Sequence, residues 1–188
     1  MYTVVYDKKA RTATYLNNGV YGEILLLDDG KTVIKLFKKR ERIFEQFIVD
    51  STIKSEINAY EIVSSHDLLA KYIPNFFGAV QLTAILHNNK PVSHLYCSSA
   101  YLLEYINSPF EKVACSSKAK EIISLFNHVG VLYTEDADYC EIEQFYKFID
   151  FGIVGVKEAL EDISMYGLSD EEKIDNFQRK FGKELLWQ

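Results

Sequence analysis

The residues of this 188-residue chain best placed to do chemistry are a lysine, a glutamate and a glycine-bearing turn. Lys35 stands in Val33-Ile34-Lys35-Leu36-Phe37, a β-like run in which an ammonium among apolar neighbours is costly unless it meets an anion. One anion is a carboxylate from the helical stretch that follows, Lys54-Ser55-Glu56-Ile57-Asn58-Ala59-Tyr60-Glu61. With Ile57 and Tyr60 facing the sheet, Glu56 lies at the edge of that face, and Glu61 is its rival. The other anion is phosphate. Asn17-Asn18-Gly19-Val20-Tyr21-Gly22-Glu23-Ile24 predicts a hairpin whose glycines leave room for backbone N–H groups to lie over a polyphosphate. Much later, the apolar stretch Lys147-Phe148-Ile149 ends in Asp150-Phe151-Gly152, which adds a carboxylate at a strand end.

The elements that must position these groups follow from periodicity. Ala13–Leu16, Gly22–Leu27 and Thr32–Phe37 read as an antiparallel meander, with Asp28-Asp29-Gly30 as the tight turn between the last two. Glu41–Ser64 carries apolar residues at helical intervals, and a break near Asp50-Ser51 could divide it into two helices with Ser51 or Thr52 as N-cap. Phe76–Leu82 and Ala100–Ile106 read as another strand pair, flanking the polar turn His87–Pro91. The second half predicts an amphipathic helix over Lys118–His128, short β-like pieces at Val129–Leu132 and Tyr146–Ile149, and helices over Val156–Met165 and Asp170–Leu186. Ser169-Asp170-Glu171-Glu172 resembles a capping box. The expected class is α+β: a β-rich lobe with one or two helices over residues 1–106, then a smaller, mainly α-helical lobe over 107–188.

Composition narrows the function classes. With 48% hydrophobic, 26% charged and 14% aromatic residues, the chain is globular. Its net charge of −6 and a basic cluster confined to Lys38-Lys39-Arg40-Glu41-Arg42, read as a solvated helix start, argue against nucleic acid. Cys97, Cys115 and Cys140 are widely spaced and read as reduced thiols, and the scattered histidines do not form a zinc pattern. The start shows no secretory signal pattern, and no stretch reads as a membrane span. A cytoplasmic monomer is the expectation.

Taken in order, the glycine hairpin, strand lysine, helix glutamate, a hinge-like strand and Asp-Phe-Gly resemble the protein-kinase-like superfamily over roughly residues 12–155. The resemblance implies that Gly19, Val20, Tyr21 and Gly22 cover ATP, with Asn17 in the place of the family's first glycine. It implies that Lys35 holds the α/β-phosphates and pairs with Glu56. Leu102-Leu103-Glu104-Tyr105-Ile106 is similar to the hinge, where Leu103 would be the gatekeeper and the backbones of Glu104 and Ile106 would meet the adenine edge. Asp150 would hold Mg²⁺.

The family's catalytic loop, His-Arg-Asp followed five residues later by Asn, is degenerate in His128–Ile142. One matching puts Asp136 at the catalytic Asp and Glu141 at the metal-binding Asn; the other puts Glu135 and Cys140 there. The first is favoured, because Glu141 donates oxygen to a hard cation better than Cys140 would. No Ala-Pro-Glu follows Gly152, and the remaining chain is short for a peptide-docking subdomain. In this it resembles the small kinase-like effectors that bacteria inject into host cells. The implied activity is ATP- and Mg²⁺-dependent transfer to Ser/Thr of a protein substrate, a host protein for such an effector, in the bacterial or host cytosol. The alternative is a pseudokinase that works as a nucleotide-binding interaction module.

Overall fold

The computed structural model describes residues 1–131, 134, 136–152 and 165–185. Strands β1 (Tyr2–Tyr6), β2 (Lys9–Asn18), β3 (Gly22–Leu27) and β4 (Thr32–Lys38) form an antiparallel meander. After helices α1 (Ile43–Ser64) and α2 (Asp67–Ala70) come β5 (Phe76–Val80), β6 (Leu82–His87), β7 (Lys90–Pro91) and β8 (Leu95–Glu104). The second half holds β9 (Glu111–Lys112), a 3₁₀ turn, α3 (Ser117–His128), β10 (Asp138–Ile142), β11 (Phe145–Ile149) and α4 (Asp170–Leu185). Among the described residues it is thus as much a small sheet, ordered β11-β10-β9, as a set of helices. The helix expected over Val156–Met165 falls outside the described residues except for Met165, which is buried.

The main sheet has eight strands in the order β5-β8-β4-β3-β2-β1-β6-β7. β6 also packs on β8, so the sheet curls on itself and encloses a core of Val4, Leu25, Ile34, Leu36, Ile85 and Leu102. Because side chains alternate along a strand, the neighbours of these residues face the other way. Lys35 and Phe37 on β4, with Tyr101 and Leu103 on β8, therefore meet α1. There they join Val49, Ile53, Tyr60 and Val63 of α1, Ile122 and Phe126 of α3, Phe148 of β11 and Phe151 in a second core. One continuous apolar cluster thus ties the large sheet to the small one through α1.

The stretch expected to break near Asp50-Ser51 is one uninterrupted helix. Ser51 and Thr52 are buried, and the Thr52 hydroxyl donates to the Ile48 carbonyl at 2.9 Å, so it serves the helix interior and not a cap. Phe177 of α4 packs edge-on against Phe44 and Phe47, which covers the start of α1. The β-like piece expected at Val129–Leu132 is a turn where it is described: Val129 caps α3 and Gly130 takes φ +99°. Leu132 lies outside the described residues.

Three hairpins close through two-residue loops in which both residues have positive φ: Asp7-Lys8, Asn88-Asn89 and Glu143-Gln144. This geometry matches the twist of paired strands and favours Asn and Gly. Glu143 (φ +50°) and Gln144 (φ +75°) hold it against their preference. Among the described residues no helix is long and apolar enough to cross a membrane. The strained loop gives a stability test. Replacing Glu143-Gln144 by Asn-Gly should raise stability by about 1 kcal/mol, read as a higher urea midpoint at unchanged slope; an unchanged or lower midpoint contradicts it.

Candidate functional site

A cleft of ≈ 670 Å³ opens between the β2–β3 turn, β4, the chain leaving β8 and the end of β11. Gly19, Val20, Tyr21, Gly22, Lys35, Glu56, Glu104, Ile106 and Asp150 all line it. Its outer wall is fixed by the backbone: Glu104 N–H donates to the Asn75 carbonyl at 2.9 Å and Tyr105 N–H to that of Lys31 at 2.7 Å.

Three charges form the floor. The Lys35 ammonium donates to both Glu56 oxygens, at 2.8 and 2.7 Å, and to Asp150 Oδ1 at 3.2 Å. Glu56 is 1% exposed, whereas the Asp150 side chain is 45% exposed and so faces the cleft. Glu61, the rival, is exposed on the outside of α1. Tyr101 Oη donates to Glu56 Oε2 at 2.5 Å. Burial works against the Lys35 charge, but Glu56 and Asp150 outweigh it and hold the lysine above its ordinary pKa. Lys35 in turn holds the Asp150 carboxyl below its ordinary value, with burial opposing. Burial pushes Glu56 up, with Lys35 opposing. The site thus presents a fixed cation and an ionised carboxylate at its inner end.

Asp150 is aimed by its backbone. Its φ of +66° lies in the left-handed region, which Asp tolerates better than most residues, and it turns the chain so that the carboxylate meets Lys35 while Phe151 goes inward. Phe151 is fully buried, edge-on to Tyr60 with ring centroids 5.2 Å apart, and Ser55 Oγ donates to its carbonyl at 2.9 Å. The chain is therefore anchored to α1 immediately after Asp150.

The two glycines of the turn have different reasons. A Cβ on Gly22 would lie 2.3 Å from the Leu36 carbonyl oxygen, so only glycine lets β3 approach β4 there. A Cβ on Gly19 would meet nothing nearer than 3.9 Å. The turn is held by Lys38, whose ammonium donates to the Gly19 carbonyl at 2.6 Å, and by Arg40, which donates to that of Val20 at 2.6 Å. The basic cluster read as a solvated helix start thus contributes two anchors of the cleft's roof.

The acids expected on the catalytic loop are placed differently. Glu141 is exposed on β10 and does not line the cleft, because strand alternation turns it away from the face carrying Asp138 and Cys140. Asp138, paired in register with Ile149, lines the cleft beside Asp150. Burial pushes the Asp138 carboxyl up; Lys112, at 3.0 Å, opposes this and Asp150 adds to it. Asp136 stands on the exposed turn before β10, off the cleft lining, with its carbonyl accepting from Lys112 Nζ at 2.7 Å. Cys140 is buried, and Glu135 lies outside the described residues.

Sequence reasoning missed Asp138, Tyr101 and Lys112. A signal for Asp138 existed in the count back from the hairpin, but Glu143-Gln144 is not a recognisable turn. No family model, curated protein or solved structure was found to match this chain.

The unequal glycines predict unequal variants. Gly22→Ala should cost on the order of 1–3 kcal/mol by overpacking against β4, whereas Gly19→Ala should leave the unfolding midpoint unchanged. Denaturant titration of both variants checks this, and equal losses would contradict it.

Proposed function

We propose that this chain binds MgATP in the cleft and transfers the γ-phosphoryl group to a Ser/Thr hydroxyl of a protein, as a minimal protein kinase. The observation that carries the reading is the convergence of Lys35, Glu56 and Asp150, from three separate elements, beneath a glycine turn. The strand run β5-β8-β4-β3-β2 with α1 packed across it is compatible with a kinase-like N-lobe. A protein target in a host cell rests on the resemblance to bacterial effectors.

The donor set fits Mg²⁺. Asp138 and Asp150 offer two carboxylates on one side of the cleft, and Mg²⁺ beside a nucleotide needs only one or two of these plus phosphate oxygens. Among the described residues no group of three or more His, Cys, Asp or Glu that could hold a metal comes together. When bound, the ion would neutralise charge on the phosphates. Asp138 thus takes the place expected for Glu141.

The chain's own residues would do the rest. Lys35, held by Glu56, orients the phosphates beneath the Gly19–Gly22 turn, which the Gly19 N–H closes by donating to the Gly22 carbonyl at 2.9 Å. Glu104 and Ile106 offer backbone groups to the base. Asp136, on the exposed turn before β10 with its charge acting on Asp138 and Lys112, would orient the incoming hydroxyl and take its proton as the γ-phosphoryl leaves ADP. The second reading, a nucleotide-binding module without transfer, is favoured by Lys112. Its ammonium already pairs with Asp138, and Asp136 lies off the cleft lining.

Incubation with Mg²⁺ and γ-labelled ATP, alone and with cell lysate, tests the proposal, with phosphosites read by mass spectrometry. Transfer is expected, and Asp150→Asn should lower it by about 10²-fold or more without loss of fold, since Asn also tolerates the left-handed backbone. Asp138→Asn should lower it comparably and Glu141→Gln should not; the reverse would return the metal site to Glu141. ATP-dependent thermal stabilisation without transfer selects the interaction module. No stabilisation rejects both readings.

A further inference from the structure

We infer that the Tyr101 hydroxyl is the positioning group that keeps Glu56 on Lys35, so that the nucleotide site stands assembled before any ligand arrives; this rests on the kinase reading above. Tyr101 on β8 lies directly opposite Lys35 on β4 in the strand register, and both side chains face α1. From there Tyr101 Oη reaches Glu56 Oε2 at 2.5 Å, the same oxygen that Lys35 Nζ meets at 2.7 Å. One carboxylate thereby ties α1 to two neighbouring strands.

The hydroxyl matters because Lys35 has a competitor. Asp150 Oδ1 draws the same ammonium from the cleft side at 3.2 Å and is far more exposed than Glu56. A glutamate held by lysine alone would depend on which carboxylate the lysine prefers. A second donor, from a group that does not move with the lysine, removes that dependence.

Tyr101 is such a group. It is 1% exposed, and its ring packs against Phe37, Tyr60 and Phe76 at centroid separations of 5.9, 5.5 and 6.2 Å. Its hydroxyl is thus held in place by ring packing, and little further freedom is lost on bonding to Glu56. The Lys35 ammonium also lies 5.9 Å from the Tyr101 ring centroid, within cation–π range.

The test compares the full chain with Tyr101→Phe, which keeps the ring and deletes the donor. MgATP affinity should fall about tenfold. Replacing Tyr101 with 3-fluorotyrosine, a more acidic phenol and stronger donor that keeps the ring and the bond, should leave the affinity at least as high as in the native chain. Unchanged affinity in Tyr101→Phe, while Glu56→Gln weakens binding, would overturn the inference. A readout without nucleotide separates this outcome from failure of the kinase reading. In a double-mutant cycle by urea unfolding, Tyr101→Phe should shift the midpoint less in a Glu56→Ala background than in the native chain. Additive shifts would show that the two groups are not coupled, whether or not MgATP binds.

Discussion

The interaction on which this structure depends is the buried meeting of Lys35 with Glu56 and Asp150. Taking a lysine and a glutamate out of water costs several kcal/mol per ion, and their attraction offsets this only when geometry and further hydrogen bonds are good. Both conditions hold here: the lysine reaches both Glu56 oxygens, and Tyr101 supplies another donor. Such a pair is a weak source of net stability but a strict one of alignment. Moving β4 or α1 would leave a buried charge unpaired, and moving the end of β11 would take away the second partner of Lys35. The three elements are therefore locked to one another at the floor of the cleft, where alignment matters for a polyphosphate.

The apolar structure is arranged around that lock. Phe151 fills the space among Tyr60, Phe126 and Phe148, so the residue after Asp150 is an anchor in the core and Asp150 is left at its edge. The left-handed backbone at Asp150 is the strain needed to send consecutive side chains to opposite destinations. Phe177 covers the start of α1, while Glu56, further along the helix, is held by Lys35 and Tyr101. The roof is tied less deeply. Its turn is held by Lys38 and Arg40 through exposed hydrogen bonds to carbonyls, which suits a part that must admit a ligand.

Much of this was legible in the chain. Lys35 stood out because a lysine between Ile34 and Leu36 demands a counter-charge. Glu56 stood out because its spacing from Tyr60 put it at the edge of the buried face, and Gly30 announced the β3–β4 turn. Other parts were silent for identifiable reasons. The strand Tyr2–Tyr6 has the right β-branched and aromatic residues, but its pairing with β6 spans most of the main sheet's sequence and carries no local mark. Thr52 looked like a cap because its hydroxyl can serve either a helix start or a helix interior, and only burial chose between them. Asp138 was passed over because the loop Glu143-Gln144 lacks turn residues, and without the turn the register of β10 cannot be counted.

By itself the sequence determined the alternation of strands, the helical character of the stretch after β4 and the order of the chemically capable residues, since these follow from periods of two and 3.6 and from the cost of burying charge. Tertiary structure alone decided which acids share the cleft. That choice depends on strand register and on which face of β10 turns inward, and a slip of one residue exchanges Asp138 for its neighbours. It also decided that Tyr101, an unremarkable aromatic in a β-like run, lies opposite Lys35 and completes the coordination of Glu56. Contacts between residues far apart in the chain are set by packing, and packing leaves no periodic signature at any one of them.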